Sequence, residues 1–240
     1  RYFIEKTHRR KSFLRPRIII SVPYGLTQVE RKAVRESALS AGAREVFLIE
    51  EPMAAAIGAN LPVREPQGNL VVDIGGGTTN IAVLSLGGIV VSESLRSGGQ
   101  KLDAALKEYL RGTYAIVTDD ATVEEMKVYN GSAVLPLEDR NYYFRGRSLD
   151  DGLEKEVSLK SSEIYEVMGR PLLKILELIR QALRETPPEL AADIMEHGIV
   201  LTGGGSLLKG MDQLISQETG VPVTVRRNRK RRWLKARGWR

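Results

Sequence analysis

Asn69-Leu-Val-Val-Asp-Ile-Gly-Gly-Gly-Thr-Thr-Asn-Ile-Ala-Val-Leu-Ser-Leu86 is the stretch that decides the fold. An apolar run ends at Asp73, three glycines and two threonines follow, and Ile81 to Leu86 is again rich in strand formers. Gly87-Gly88 then leads straight into Ile89-Val-Val91, so the glycines join strand to strand. Triple glycine permits positive φ and lets backbone amides approach an anion with no Cβ in the way, while the hydroxyls of Thr78 and Thr79 add donors. That is the chemistry of a phosphate cradle. A dinucleotide-binding or Walker loop would instead open a helix, and the Walker lysine and serine are absent. A tight hairpin also uses glycine, so this stretch alone leaves a structural turn as the other reading.

The flanking sequence favours the cradle. Upstream, Arg17-Ile-Ile-Ile-Ser-Val22 reads as a buried strand ended by Pro23 and Gly25. Thr27-Gln-Val-Glu30 is a capping box opening a helix to about Ala41, stopped by Gly42. Val46-Phe-Leu-Ile49 is a short strand, and Pro52 opens a second helix. Strand, helix, strand, helix implies an α/β sheet carrying packed helices. Glu50-Glu51-Pro52 puts two carboxylates at a strand-to-helix junction, where α/β folds bind ligands. A carboxylate there can orient a water toward a phosphoryl group, and Asp73 can hold magnesium through a water. Downstream, Gly198-Ile-Val-Leu-Thr-Gly-Gly-Gly-Ser206 repeats the strand-then-glycines pattern, with a helix expected from Leu207-Leu208. Its glycines suit a platform under a nucleoside.

Four ordered segments carry a family resemblance: Glu50-Glu-Pro-Met-Ala-Ala-Ala-Ile-Gly58, Val71-Val-Asp-Ile-Gly-Gly-Gly-Thr-Thr79, Thr186-Pro-Pro-Glu-Leu-Ala-Ala-Asp-Ile194 and Gly198-Ile-Val-Leu-Thr-Gly-Gly-Gly205. Over about residues 1 to 225 the chain resembles the MreB/Mbl family, the bacterial actin homologues of rod-shape determination. The resemblance implies an actin-like ATPase (ribonuclease-H-like) α/β fold, with ATP and Mg2+ in a cleft between two lobes. It implies Glu51 as the residue positioning the hydrolytic water, Thr78 assisting, and Asp73 near the metal. It implies Gly75, Gly76, Gly77, Thr78 and Thr79 as a phosphate loop, Glu124 and Lys127 as nucleoside contacts, and Gly203, Gly204 and Gly205 as the adenosine platform. Read locally, Thr122 and Glu125 form a further capping box, which sets Glu124 and Lys127 on one helix face. A surface ion pair is the other reading of those two. Family partners are further copies in protofilaments and the membrane-associated cell-wall elongation machinery, at the inner face of the cytoplasmic membrane.

The expected organisation is 1–65 as the remnant of a first lobe, 66–225 as a nearly complete second lobe with a small insertion at 113–160, and 226–240 as a basic tail. Within the insertion, Tyr142-Tyr-Phe-Arg145 and Lys155-Glu-Val-Ser-Leu159 are candidate strands. The helix Glu163 to Arg184 carries a core stripe at helical spacing, with a bend at Gly169-Arg-Pro171. The family begins with another phosphate loop and ends with a helix that this sequence does not display. The expectation is therefore a truncated or frame-shifted chain with an unpaired first-lobe sheet edge, weak ATP binding, nearly absent hydrolysis and no polymerisation alone.

Composition narrows the alternatives. The 240 residues include no cysteine and two histidines, which excludes disulfides, thiolate metal sites and a cysteine nucleophile. No apolar run reaches the roughly 18–20 residues of a membrane span and no signal-peptide core is seen, so a cytoplasmic chain is expected. The net charge of +6 comes from the ends: Arg226 to Arg240 contributes +9, leaving −3 elsewhere, and Arg1 to Arg17 holds seven cations against Glu5. Such a tail, with Trp233 and Trp239, suits phosphate backbones or anionic lipid, but a solvated tail needs no ligand, and nucleic acid is not the expected partner. The remaining alternative is another actin-superfamily ATPase, a sugar kinase or chaperone.

Overall fold

The computed structural model describes residues 15–226. The tail beyond Arg226 and most of the first basic cluster lie outside the described residues. The chain divides into two compact units, Arg1–Asn60 and Leu61–Arg240.

In the first unit, β1 (Arg17–Val22) pairs in parallel with β2 (Glu45–Glu50), from Arg17 opposite Glu45 to Val22 opposite Glu50. Between them runs α1 (Gln28–Ser40), and α2 (Glu51–Gly58) follows. The Thr27–Glu30 capping box is formed in both directions, with Thr27 N–H donating to Glu30 at 2.9 Å and Glu30 N–H to the Thr27 hydroxyl at 3.3 Å. Gly42 ends the helix at φ +106. The expectation of a buried β1 fails. Only Val22 of that strand is buried and Ile19 is 71% exposed, because the two-stranded sheet has no further strand among the described residues and the helices that pack on it leave Ile19 uncovered.

The second unit is built on a five-stranded sheet of order β10-β9-β3-β4-β5. Strands β3 (Asn69–Ile74), β4 (Thr79–Ser85) and β5 (Gly88–Leu95) form an antiparallel meander, while β9 (Ile199–Thr202) and β10 (Val223–Val225) join β3 in parallel. The β4–β5 turn is Leu86-Gly87, both at positive φ, as two-residue hairpins require. Residues Leu70 to Val72 and Ile81 to Leu84 are buried, so β3 and β4 are covered on both faces. Helix α3 (Gly99–Tyr114) packs on α5 (Ser161–Glu185), which lies against β4 and β5. The stripe Ile164, Met168, Leu172, Ile175, Leu176 and Ile179 is core, as its spacing predicts. That helix starts two residues before Glu163 and continues as one element through Pro171, which costs it one backbone hydrogen bond.

Between α3 and α5 lie β6 (Ile116–Val117), α4 (Asp120–Asn130), β7 (Asn141–Ser148) and β8 (Glu154–Lys160); the three strands make an antiparallel sheet. Helix α6 (Pro188–His197) packs beside β3, where Gly68 N–H donates to the Asp193 carboxylate at 2.7 Å. Helix α7 (Met211–Thr219) precedes β10. Gly203 to Gly205 is followed by a single 3-10 turn, Gly205–Leu207, so the helix expected at Leu207 begins four residues later. Among the described residues, no helix is long and apolar enough to cross a membrane.

Candidate functional site

The site grows from the carboxyl end of β3. Asp73 and Ile74 are its last residues, and parallel β9 ends beside them, with Asp73 opposite Thr202. The Thr202 hydroxyl donates to Asp73 Oδ1 at 2.8 Å, which fixes that carboxylate and leaves Oδ2 to other partners. The chain then leaves β9 through Gly203 at φ +83. A Cβ on Gly203 would lie 2.3 Å from the Ile74 carbonyl oxygen and 2.7 Å from Asp73 Oδ1, and one on Gly205 would lie 2.4 Å from Ile74 Cγ2. Glycine is therefore required twice, because Gly203 packs directly on backbone and Gly205 on the Ile74 side chain. Gly203 and Gly204 present an exposed surface with no side chain.

On the other side of β3, Gly75 N–H donates to the Thr78 carbonyl at 2.8 Å, closing the hairpin and leaving the Gly76 and Gly77 amides as the donors the turn can offer. Gly76, Gly77 and Thr78 are exposed. The carbonyls of this turn face α3: Gly99 N–H donates to Gly75 O at 3.0 Å and Gln100 N–H to Gly76 O at 2.8 Å. Two of the helix's orphan N–H groups are thus satisfied by the loop itself. Gly98 must be glycine, since its Cβ would lie 2.4 Å from Gly75 O and 2.9 Å from Gly76 O. Thr79 is turned away from solvent. It is wholly buried and its hydroxyl donates to Ser97 O at 2.7 Å, so it clamps the loop to the start of α3 instead of adding a donor to the cradle.

Helix α4 brings Glu124 and Lys127 to the same region. The expected Thr122–Glu125 capping box does not form. Asp119 is the N-cap and accepts from Thr122 N–H at 2.8 Å, which holds its carboxyl below the usual range. An aspartate is available three residues earlier, so Thr122 falls inside the first turn. Glu124 is exposed and lines an open cleft of about 320 Å³ with Gln100, Asp103, Ala104, Lys107 and Asp120. Lys127 does not pair with Glu124; its ammonium lies 2.7 Å from Asp103 Oδ1 and 3.3 Å from the Gly99 carbonyl oxygen. The C-terminal end of α4 is tied toward the platform, with Ala133 N–H donating to Lys209 O at 2.7 Å.

Asp73, Gly75 to Gly77, Thr78, Gly203 to Gly205, Glu124 and Lys127 thus gather around the end of one strand and the start of one helix. Glu51 belongs to the first unit, as the first residue of α2 at the carboxyl end of β2. Its neighbour Glu50 accepts from Arg31 at 2.7 Å, and that guanidinium holds the Glu50 carboxyl below the usual range.

Among the described residues, no cluster of three acids or histidines forms a metal cage. Asp73, with one oxygen committed to Thr202, instead suits a magnesium ion that keeps most of its waters and is carried by phosphate. Sequence reasoning passed over Gly98, Gln100, Asp103 and Thr202. The pair Gly98-Gly99 just before a helix was the available signal for the first two.

Comparison with known proteins gives one family. The model of the MreB/Mbl protein family matches residues 1–232. The cell shape-determining protein MreB of Escherichia coli strain K12 is 53% identical over 226 residues, 93% of this chain and 65% of that protein. The chain therefore spans a little under two thirds of that relative's length. Two crystal structures of MreB5 of Spiroplasma citri also match. The one bound to ADP is 35% identical at a TM-score of 0.89, over 96% of this chain and 70% of that one. The one bound to AMPPNP is 36% identical at a TM-score of 0.87, over 93% and 68%.

Proposed function

Because the chain belongs to the MreB/Mbl protein family, whose fold is the actin-like α/β one, we propose that it is a nucleotide-binding portion of a filament-forming, cell-shape-determining actin homologue. The observation that carries the reading is the glycine-only contact on both sides of β3, with Gly98 against Gly75 and Gly76, and Gly203 and Gly205 against Asp73 and Ile74. A turn that served only to reverse the chain would not need two further glycine segments held against it.

The Gly76 and Gly77 amides and the Thr78 hydroxyl then receive phosphate oxygens, and Gly203 and Gly204 lie under the adenosine. Glu124 and Lys127 contact the nucleoside across the cleft. Magnesium supplies charge neutralisation for the phosphates, with Asp73 holding it through water. Glu51 orients the hydrolytic water and Thr78 assists it. The MreB5 structures bound to ADP and AMPPNP support adenine nucleotide as the ligand class. Self-association into protofilaments, attachment to the inner face of the cytoplasmic membrane and contact with the cell-wall elongation machinery belong to the same proposal.

Isothermal titration of the 240-residue chain with ADP and with magnesium-ATP tests the reading. Saturable 1:1 binding that is weakened by Gly203→Val supports it. Absence of binding to either nucleotide refutes it.

A further inference from the structure

Asp103 lies one turn into α3, and the Lys127 ammonium sits 2.7 and 2.8 Å from its two carboxylate oxygens. The two side chains are only 20% and 13% exposed, so the pair is far better shielded than an ordinary surface ion pair. A lysine is poorly placed at the N-terminal end of a helix, where the helix dipole repels it, and α3 has no acid in its first turn, so the compensating charge comes from Asp103 one turn further in. Lys127 therefore stays at the start of α3 because Asp103 neutralises it. The ammonium also lies 3.3 Å from the Gly99 carbonyl oxygen. Gly99 is the residue whose own N–H donates to Gly75 O. One residue thus joins the glycine loop through its N–H and α4 through its C=O.

An ammonium has three donors. The two Asp103 oxygens and the Gly99 carbonyl are within reach of all three, so the ammonium is held at the start of α3 by both residues at once.

We propose that Asp103 is a positioning residue for nucleotide binding, holding Lys127 on the first turn of α3 so that the nucleoside-facing helix α4 and the phosphate-facing glycine loop form one rigid platform. The inference rests on the nucleotide reading of the site. Asp103 acts through Lys127 and through Gly99, and need not touch the nucleotide itself. Its loss therefore weakens contacts to both ends of the ligand.

The test uses the 240-residue chain, D103N, K127M and the double variant. It reads hydrogen exchange at the Gly99 and Gln100 amides without nucleotide, and ADP affinity by titration calorimetry. D103N is expected to speed exchange at both amides and to weaken ADP binding roughly tenfold, as loss of a shielded charged hydrogen bond implies, with the double variant no weaker than the weaker single. Losses in the two singles that simply add overturn the proposal. So does a D103N variant that melts at lower temperature yet binds ADP as well as the unsubstituted chain, which is the behaviour of a merely structural ion pair. An unsubstituted chain that binds no ADP refutes the nucleotide reading and the proposal with it, whereas ADP binding indifferent to D103N refutes the proposal alone.

Discussion

Gly98→Ala isolates the contact on which the site depends. Gly98 has φ −164, extended backbone that alanine adopts without strain, so the cost is entirely steric. The added Cβ would lie 2.4 Å from the Gly75 carbonyl oxygen and 2.9 Å from that of Gly76. Relief to an ordinary contact needs a shift of about 1 Å, which carries the bonds Gly99 N–H to Gly75 O and Gln100 N–H to Gly76 O beyond useful range. They now measure 3.0 and 2.8 Å. Two lost hydrogen bonds at about 1 kcal/mol each, with about 1–2 kcal/mol of overpacking, give a destabilisation of about 3–4 kcal/mol. For a unit of this size that is a fall of roughly 6–16 °C in melting temperature. Gly112→Ala is the matched control. It lies in the same helix, exposed, with nothing within 4 Å of the added Cβ, and should gain about 0.5–1 kcal/mol from helix propensity alone. Differential scanning calorimetry of both variants, with ADP titration, is the assay. If Gly98→Ala melts and binds ADP as the unsubstituted chain does, the loop is not held by the start of α3 and the account of the site is wrong.

Three further outcomes are expected. Glu163 accepts from Tyr109 and Tyr114 at 2.9 and 2.7 Å and from Lys160 N–H at 2.9 Å. Burial pushes its carboxyl up, but these bonds together hold it below the usual range, while the same carboxylate drives the Tyr114 phenol up to about 12. The stability Glu163 supplies is therefore complete above its ordinary pKa of 4.5 and lost as pH falls through the lower folded value. The Tyr114 contribution is present below its ordinary 10.0 and lost as pH rises through about 12. Melting curves across pH should show E163Q less stable at neutrality and flatter in acid, and parallel curves would contradict this. Asp119→Ala should lower stability as a lost N-cap, measured by urea denaturation, whereas a near-neutral effect would return the cap to Thr122. Thr202→Val removes the hydroxyl on Asp73 Oδ1 and should cost about 0.5–1.5 kcal/mol in the same assay. Its larger effect should be on the magnesium dependence of ATP binding, because Asp73 loses its fixed orientation; unchanged magnesium dependence would argue against Asp73 as the metal's partner.

What was legible in the sequence was whatever local chemistry decides. The Thr27–Glu30 box, the Pro52 helix start, the α5 stripe and the glycine turn at 75–77 all follow from short-range rules, and all form. Two of the misreadings come from competition between neighbours of similar propensity. Thr122 lost the cap to Asp119, and the helix after Gly205 gave way to a 3-10 turn because Leu208 takes extended ψ and Gly210 is left-handed, so the next helix starts at Met211. Thr79 was assigned by adjacency, but strand alternation turns it inward while Thr78 stays out. The Asp103–Lys127 pair was out of reach, since residues 24 apart meet only when two helices pack.

Given a hypothetical Cβ, the glycines separate into those that meet open space and those that meet another segment; the second kind includes Gly68, Gly146 and Gly198 away from the site, and three more of them cluster at the end of β3. Gly42, Gly87 and Gly220 have positive φ and open space, so each serves chain reversal or helix termination. Gly98, Gly203 and Gly205 have backbone or core atoms within 2.4 Å of the missing Cβ, with Gly98 against Gly75 and Gly76, Gly203 against Asp73 and Ile74, and Gly205 against Ile74. A turn glycine answers to the chain's own dihedrals, whereas these answer to a different segment, brought near by the pairing of β9 with β3 and by the docking of α3. Thr202 joins them by fixing the carboxylate between the two glycine segments. The end of β3 is therefore shaped by two separate parts of the sequence that each give up a side chain to come close, and the surface they leave is backbone amide, one oriented carboxylate and, through Asp103, one oriented ammonium. Such a surface recognises an anion attached to a flat ring more readily than it recognises another protein, because it offers directed donors and very little apolar area.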